Sequence, residues 1–249
     1  MYLTIRGLVT RVTAYNDTDA LLTVLTAEQG KLTLKARGLR RKNSPLIAPC
    51  QLLSYGEFTL FEYRGYYTIN EARSLELFTG LRKDLFKLSL ATYFGQVCDT
   101  ISQEDIVNPH LLSLILNCLY SLDKLNFPLD QIKAVFELRC SCLAGYTPIL
   151  DGCYRCGCTS PDRFNISEGR LECSACRELD TQAIRLPISD GVLDAMRYIV
   201  FCEDKRIFGF QISEATAAEL SNITEAYLTR QLEQSFSTLD FYKSLYLLG

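Results

Sequence analysis

The stretch that decides the N-terminal fold is ALLTVLTAEQGKLTLKARG, residues 20–38. Apolar and polar residues alternate in ALLTVLT (20–26) and in KLTLKAR (31–37), and this period of two predicts two strands. Gln29-Gly30 supplies the turn between them, and Gly38 ends the second strand. One face of that strand would point into a core. The other face carries basic side chains.

The period of two extends to both sides of this hairpin. Five β-rich runs, separated by turn residues, lie within residues 2–74; they are 2–15, 20–26, 31–37, 51–63 and 66–74. A sheet of so few short strands must remove or hide its edges. We therefore expect a small closed or partly closed barrel.

The pattern changes to a helical period after Glu76. Leu77, Leu81, Leu85 and Leu88 fall on one stripe and predict a first helix. Further helices are predicted at 108–125, at 128–145, after N-cap serines at 189 and 213, and at 237–248. The expected fold class is α+β and multidomain: a barrel domain at 1–78, then an all-α domain at 79–249.

A cysteine motif interrupts the helical region. In CYRCGCTSPDRFNISEGRLECSAC, residues 153–176, Cys153-x2-Cys156 is followed after 16 residues by Cys173-x2-Cys176. Two such pairs are typical of a zinc site with four cysteine ligands, and four thiolates leave no open position for catalysis. We expect one structural Zn²⁺ in an inserted element at 151–178. Cys158 is an alternative to Cys156, although the spacing favours Cys156.

Composition limits the possible functions. The 249 residues are 48% apolar and contain eleven cysteines and a single histidine, His110. One histidine excludes most nucleophile-activating arrangements. The N-terminal residues lack the apolar core of a secretion signal, and no run approaches a membrane span. The expectation is a soluble cytosolic protein with reduced thiols, not an enzyme and without a membrane partner.

Positive charge is concentrated near the N-terminus. The net charge of the chain is −3, yet residues 1–45 hold eight Lys or Arg and three Asp or Glu. KARGLRRKNSP, residues 35–45, has five basic residues and no acid. Such a run is often only a solvated face. Here it follows a strand of a small barrel, a fold that commonly binds single-stranded nucleic acid, which favours the binding interpretation.

Aromatic residues are interleaved with this region, namely Tyr15, Tyr55, Phe58, Phe61, Tyr63, Tyr66 and Tyr67. At least half of these rings are expected in the barrel core. An exposed ring near the basic face could stack on a base.

The order of several motifs resembles the RecO family of bacterial recombination mediators. The motifs are Thr26-Ala27-Glu28-Gln29-Gly30, Ala36-Arg37-Gly38, Phe136-Glu137-Leu138-Arg139, Gly145-Tyr146-Thr147-Pro148 and the two cysteine pairs. The resemblance covers nearly the whole chain. It implies an OB-fold barrel, a helical domain that carries the zinc element, and a non-enzymatic role in the RecF-type repair pathway.

The resemblance also implies what the protein binds. Members bind single- and double-stranded DNA, anneal complementary strands and, with RecR, help to load RecA on strands coated by single-strand-binding protein. Expected partners are DNA, RecR, the C-terminal tail of single-strand-binding protein, and RecF, at a cytoplasmic, nucleoid-associated location. Arg139 is a candidate contact for the tail carboxylate, with a helix-surface salt bridge as the alternative.

Carried over by position, the sites fall on two sets of residues. The DNA contacts are Lys31, Lys35, Arg37, Arg40, Arg41 and Lys42, with Arg6 and Arg11 as weaker candidates; the zinc ligands are Cys153, Cys156, Cys173 and Cys176. Two other functions compete with this one. An RNA-binding or translation-associated module would share the barrel, zinc and basic loop. A zinc enzyme such as a nucleic-acid deaminase or hydrolase is disfavoured because four cysteine ligands would leave no open coordination position for water or substrate.

Overall fold

The computed structural model describes residues 1–104, 106–176 and 183–248. Residues 177 and 178 of the predicted zinc element, and residues 105, 179–182 and 249 of the predicted helical domain, lie outside the described residues. The chain forms two compact units, Met1–Leu125 with Phe236–Gly249 and Asn126–Ser235. The domain boundary near residue 78 therefore remains a prediction.

Five strands at the N-terminus form a closed barrel in the order β1-β2-β3-β5-β4. Their bounds are β1 Tyr2–Ala14, β2 Ala20–Thr26, β3 Lys31–Ala36, β4 Tyr55–Tyr63 and β5 Tyr66–Glu76. Neighbouring strands are antiparallel except β3 and β5, which pair in parallel at Leu34↔Tyr67 and Lys35↔Thr68. The barrel expected from the sequence is confirmed.

Aliphatic side chains at alternate strand positions fill the barrel. On β3, Leu32, Leu34 and Ala36 are buried, as the period of two predicts, and Phe58 and Leu60 are buried on β4. Full burial of a Leu or Phe side chain contributes about 1.5–3 kcal/mol, so this core is a main source of barrel stability. The opposite face of β3 carries Lys31, Thr33 and Lys35, which are partly or fully exposed.

Six α-helices occur in the described ranges. They are α1 Leu85–Ile101, α2 Pro109–Lys124, α3 Leu129–Leu143, α4 Asp190–Phe201, α5 Glu214–Leu232 and α6 Ser237–Leu248. Within those ranges, none of them combines the length and the apolar character that a membrane crossing requires. The α+β fold class predicted from the sequence is confirmed.

The first helix begins later than its leucine stripe predicts. Leu77 precedes any helix, Leu81 opens a short 3-10 turn, and α1 starts only at Leu85. The carboxylate of Asp84 accepts hydrogen bonds from the backbone N–H groups of Phe86 and Lys87 at 2.9 and 3.2 Å. A capping carboxylate satisfies N–H groups that a helix start leaves open, so the cap decides the boundary.

The two predicted N-cap serines behave differently. Ser213 precedes α5, and its hydroxyl accepts a hydrogen bond from the N–H of Thr216 at 3.1 Å, as expected of a cap. Ser189 also lies at an N-cap position, before α4, but its hydroxyl donates to Glu219 of α5 at 2.8 Å. Ser189 therefore joins two helices instead of capping one.

A small four-stranded sheet lies between α3 and α4 in the chain. Its strands, β6 Ile149–Cys153, β7 Arg163–Asn165, β8 Arg170–Glu172 and β9 Arg185–Pro187, are ordered β6-β8-β7-β9. Phe164 of β7 packs edge-on against Tyr227 of α5, with ring centroids 5.2 Å apart. The sheet is thereby attached to the helices of its own unit.

Candidate nucleic-acid interface and metal centre

The four cysteines of the two pairs converge at one end of the small sheet. Cys153 ends β6, and Cys173 follows β8, which is the neighbour of β6 in the sheet. The second cysteine of each pair lies in the turn that follows. All four sulfurs lie within 4.8 Å of one another, and those of Cys156 and Cys173 are 3.7 Å apart. These cysteines could hold a metal ion.

The sulfur geometry fits a tetrahedral thiolate site. Zn–S bonds of about 2.3 Å at tetrahedral angles place two sulfurs about 3.8 Å apart, close to the 3.7 Å between Cys156 and Cys173. Cys158 is exposed and lies outside the cluster; its carbonyl accepts a hydrogen bond from the N–H of Cys153. Cys156, and not Cys158, therefore belongs to the four-cysteine cluster. The identity of the metal stays a prediction.

The thiol chemistry also favours a cation. Burial opposes ionisation of Cys153, but hydrogen bonds from the N–H groups of Cys156, Arg155 and Cys173 lower its pKa to about 6. At the other end of the cluster, the adjacent Cys156 and Cys173 raise the pKa of Cys176 to about 12. Four neighbouring thiolates repel one another, so all four ionise together only around a positive ion.

Half of the predicted DNA contacts form ion pairs with carboxylates. Arg6 bonds Glu57 of β4 at 3.0 Å, and Lys35 lies 3.7 Å from Asp19 and 4.5 Å from the centroid of the Tyr15 ring. Arg11 and Lys31 share Asp99 of α1 at 3.2 and 3.6 Å. These acids lie on other elements, so counting the acidic residues within the basic run could not reveal the ion pairs. The predicted strand face is therefore largely neutralised.

The loop after β3 presents the other four cations. We call residues 37–42 the basic loop; its Arg37, Arg40, Arg41 and Lys42 are exposed. Among the described residues, none of the four forms an ion pair with a carboxylate. Arg40 donates to the backbone oxygen of Asn16 at 2.7 Å. Of the eight predicted DNA contacts, those without a carboxylate partner among the described residues are thus all in the loop.

Hydrogen bonds hold the basic loop in one conformation. Gly38 has a φ of +67°, a value that favours glycine, and its N–H donates to Asp19 at 2.9 Å. That bond lowers the pKa of Asp19, so its carboxylate is charged at neutral pH. The N–H groups of Arg40 and Arg41 donate to the oxygens of Thr18 and Gly38. The loop is therefore preorganised for binding.

A groove adjoins the basic loop on the barrel surface. It has a volume of about 480 Å³ and is lined by Tyr2, Arg37, Ser44, Pro45, Leu46, Phe61, Thr68, Ile69 and Asn70. Tyr2 of β1 and Phe61 of β4 are cross-strand partners, with ring centroids 5.4 Å apart. Sequence reasoning missed Tyr2, although its place at the start of an alternating strand was a usable signal.

The expectation that at least half of the seven listed aromatic rings lie in the core is wrong. Phe58 is fully buried and Tyr67 packs partly against the core, whereas Tyr15, Phe61, Tyr63 and Tyr66 are exposed. The inward positions of β4 are Gly56, Phe58 and Leu60, so its odd-numbered rings face outward. Aliphatic residues fill the barrel and leave no room for these rings.

Arg139 is not available as a carboxylate receptor in this structure. Its guanidinium donates to the backbone oxygens of Val200 and Cys202 at 2.8 and 2.7 Å, and to Asp204 at 3.0 Å. The side chain is only 16% exposed. Arg139 therefore links α3 to the end of α4, which is closer to the salt-bridge alternative.

Comparisons with known proteins cover both parts of the chain. Residues 1–78 match the model of the Recombination protein O N terminal family, and residues 82–240 match that of Recombination protein O C terminal. The protein named DNA repair protein RecO of Acetivibrio thermocellus is 35% identical over 98% of this chain and 97% of its own length. Those of Alkaliphilus metalliredigens and Bacillus subtilis are each 30% identical, covering 98% and 89% of this chain and 100% and 86% of their own. This chain therefore belongs to the RecO family.

Proposed function

We propose that this protein is a non-enzymatic DNA-binding mediator of recombinational repair that anneals complementary strands. The observation that carries the proposal is the ordered basic loop, whose four exposed cations have no carboxylate partner among the described residues. DNA phosphates are the counterions that such a loop would bind. Membership of a family named for recombination, with relatives named for DNA repair, supports the same role.

Phosphate contacts explain annealing without an energy source. Cations on the loop neutralise the repulsion between two backbones and leave the bases free to pair. Four contacts to a single strand would make the logarithm of the binding constant fall with the logarithm of salt concentration at a slope of about −3.

The paired cations form a second set of contacts. Arg6 and Arg11 have 61% of their side chains exposed, and surface ion pairs contribute about 0–1 kcal/mol, so exchange of a carboxylate for a phosphate costs little. Lys31 and Lys35 are 20% and 32% exposed, which makes their exchange harder. We propose a ranking in which the basic loop contributes most, Arg6 and Arg11 less, and the two lysines least.

The four-cysteine cluster has a structural role in this proposal. Bound Zn²⁺ would fix the two cysteine turns to each other, and its four sulfur ligands would fill its coordination shell. By family membership, we further propose that the protein acts with RecR to assist RecA loading, and that it contacts the tail of single-strand-binding protein and RecF.

The test compares two triple variants with the same charge change. Arg37→Ala/Arg41→Ala/Lys42→Ala should lower the affinity for a single-stranded oligonucleotide at about 50 mM salt by at least tenfold, flatten the salt slope by about 2, and abolish annealing. The control, Lys83→Ala/Lys205→Ala/Arg206→Ala, changes exposed cations elsewhere. Equal affinities for the two variants would refute the role of the loop. An RNA strand of the same sequence, if it binds more tightly than DNA, would instead support the RNA-binding alternative.

A further inference from the structure

The exposed rings of the barrel form a continuous surface. Phe61 and Tyr63 are two residues apart on β4 and therefore share a face, Tyr2 is the partner of Phe61 on β1, and Tyr66 is the partner of Tyr63 on β5. All four are large and exposed, from 42% for Phe61 to 79% for Tyr66. Leaving so much aromatic area in water is unfavourable, and contiguous exposed apolar area commonly marks a binding site.

The groove beside these rings has the components of a small-molecule site. Its floor is apolar, with Leu46 and Ile69 buried, and one wall consists of Tyr2 and Phe61. Polar side chains also line the groove, among them Asn70 and Thr68, the cross-strand partner of Phe61 on β5, and they could hydrogen-bond a planar heterocycle. The volume of about 480 Å³ lies within the range of roughly 300–1,000 Å³ typical of ligand sites.

The charge of the groove indicates which heterocycle it would accept. Arg37 lines this groove and also a second one of about 310 Å³, which Gly38, Arg41 and Asn43 line as well. A cation at the junction of the two grooves suits a phosphate that joins one nucleotide to the next. The aromatic groove suits the base, since rings stack on the faces of all four bases.

We infer that the groove formed by Tyr2, Phe61, Leu46 and Arg37 binds an unpaired base of single-stranded DNA. This inference rests on the proposed function and adds to it a position and a preference for single strands. In a duplex the base faces are already stacked on their neighbours, so the groove admits only bases that are unpaired. The basic loop holds the phosphates of either form, whereas the groove distinguishes between them.

The test uses a base-bearing strand and an abasic strand with the same number of phosphates, each about 15 nucleotides long. The wild-type protein should bind the base-bearing strand about tenfold or more tightly than the abasic one, because stacking contributes about 1–3 kcal/mol per base. In Tyr2→Leu/Phe61→Leu, which keeps apolar side chains on both strands, this ratio should fall to near one while the abasic affinity stays unchanged.

A fluorescence signal provides an independent measurement. The chain contains no tryptophan, so Tyr2→Trp introduces a single reporter at the groove. Adding the base-bearing strand should quench it, whereas a duplex of equal length or the abasic strand should not. The matched control is Tyr120→Trp, at an exposed position of α2, which should respond to none of the three.

The outcomes separate the two proposals. If the wild-type protein binds no oligonucleotide at about 50 mM salt, the proposed function fails and the groove site fails with it. If it binds base-bearing and abasic strands equally, or if the Leu variant keeps the wild-type ratio, only the groove site is overturned. Equal quenching of Tyr2→Trp by duplex and single strand would also overturn it.

Discussion

A buried lysine of this protein and the cations of the basic loop differ in where their counterions lie. In the unit formed by Asn126–Ser235, Lys133 of α3 is 3% exposed and contacts Glu137 and Glu225 at 3.0 and 2.9 Å, with Ser221 also bonded to its ammonium. In the basic loop, Arg37, Arg41 and Lys42 are exposed and have no carboxylate partner among the described residues.

This difference shows that a basic residue in a sequence can have either of two roles, in the fold or in binding. Burial opposes the charge of Lys133, yet Glu137 and Glu225 outweigh it and raise the pKa of the lysine, so the charge is held inside the protein. Such a residue serves the fold. The loop cations have no internal counterion in the described structure, so an external anion is the partner that can neutralise them.

The largest expected effect concerns a second cluster that serves the fold, the four cysteines. Cys173→Ser should abolish stoichiometric metal binding and lower the thermal midpoint, because metal binding stabilises only the folded element, by on the order of 10 kcal/mol in small isolated zinc domains. Metal analysis and thermal unfolding under reducing conditions measure both.

The matched control for this change is Cys158→Ser, at the exposed cysteine outside the cluster, which should retain the metal. DNA affinity should be nearly unchanged in both variants. Full metal content in Cys173→Ser, or a purified wild-type protein without zinc, would contradict the zinc assignment.

A smaller but still large effect is expected for the buried lysine. Lys133→Met removes the cation that the fully buried Glu137 contacts, and removal of one member of a buried pair costs about 3–5 kcal/mol. Denaturant unfolding should show this loss while DNA affinity is retained.

Two further variants test the cause of that loss. Lys133→Met/Glu137→Gln should recover part of the stability, since the second change removes the uncompensated charge, and Lys205→Met, at an exposed cation, should change the free energy of unfolding by less than about 0.5 kcal/mol. A loss below about 1 kcal/mol in the single Lys133 variant would show that the pair is not a structural element.

The same contrast explains what could be predicted from sequence. The alternation of apolar and polar residues predicted the five barrel strands, and the cysteine spacing predicted the four residues that converge. Both signals lie within short stretches of sequence, and their spacing follows from local backbone geometry. The pairing of Arg11 and Lys31 with Asp99 could not be predicted, since 88 and 68 residues separate the partners. The start of α1 was missed because one capping aspartate overrides a longer stripe of leucines.

The smallest effect is expected from a substitution that frees two cations from their shared carboxylate. Asp99→Asn removes the carboxylate charge that Arg11 and Lys31 share, while the backbone oxygen of residue 99 can still accept the lysine hydrogen bond at 2.9 Å. Surface ion pairs are weak, so single-strand affinity should rise only about two- to fivefold, with a steeper salt dependence.

The control for Asp99→Asn is Asp162→Asn, which removes one negative charge at an exposed position in the other unit. A general charge effect would raise affinity equally in both variants, whereas release of Arg11 and Lys31 raises it in Asp99→Asn alone. A folded Asp99→Asn protein with unchanged affinity would mean that these two cations do not contact DNA even when they are free. The interface would then be reduced to the basic loop, the groove beside it, and Arg6 and Lys35, which pair with other carboxylates.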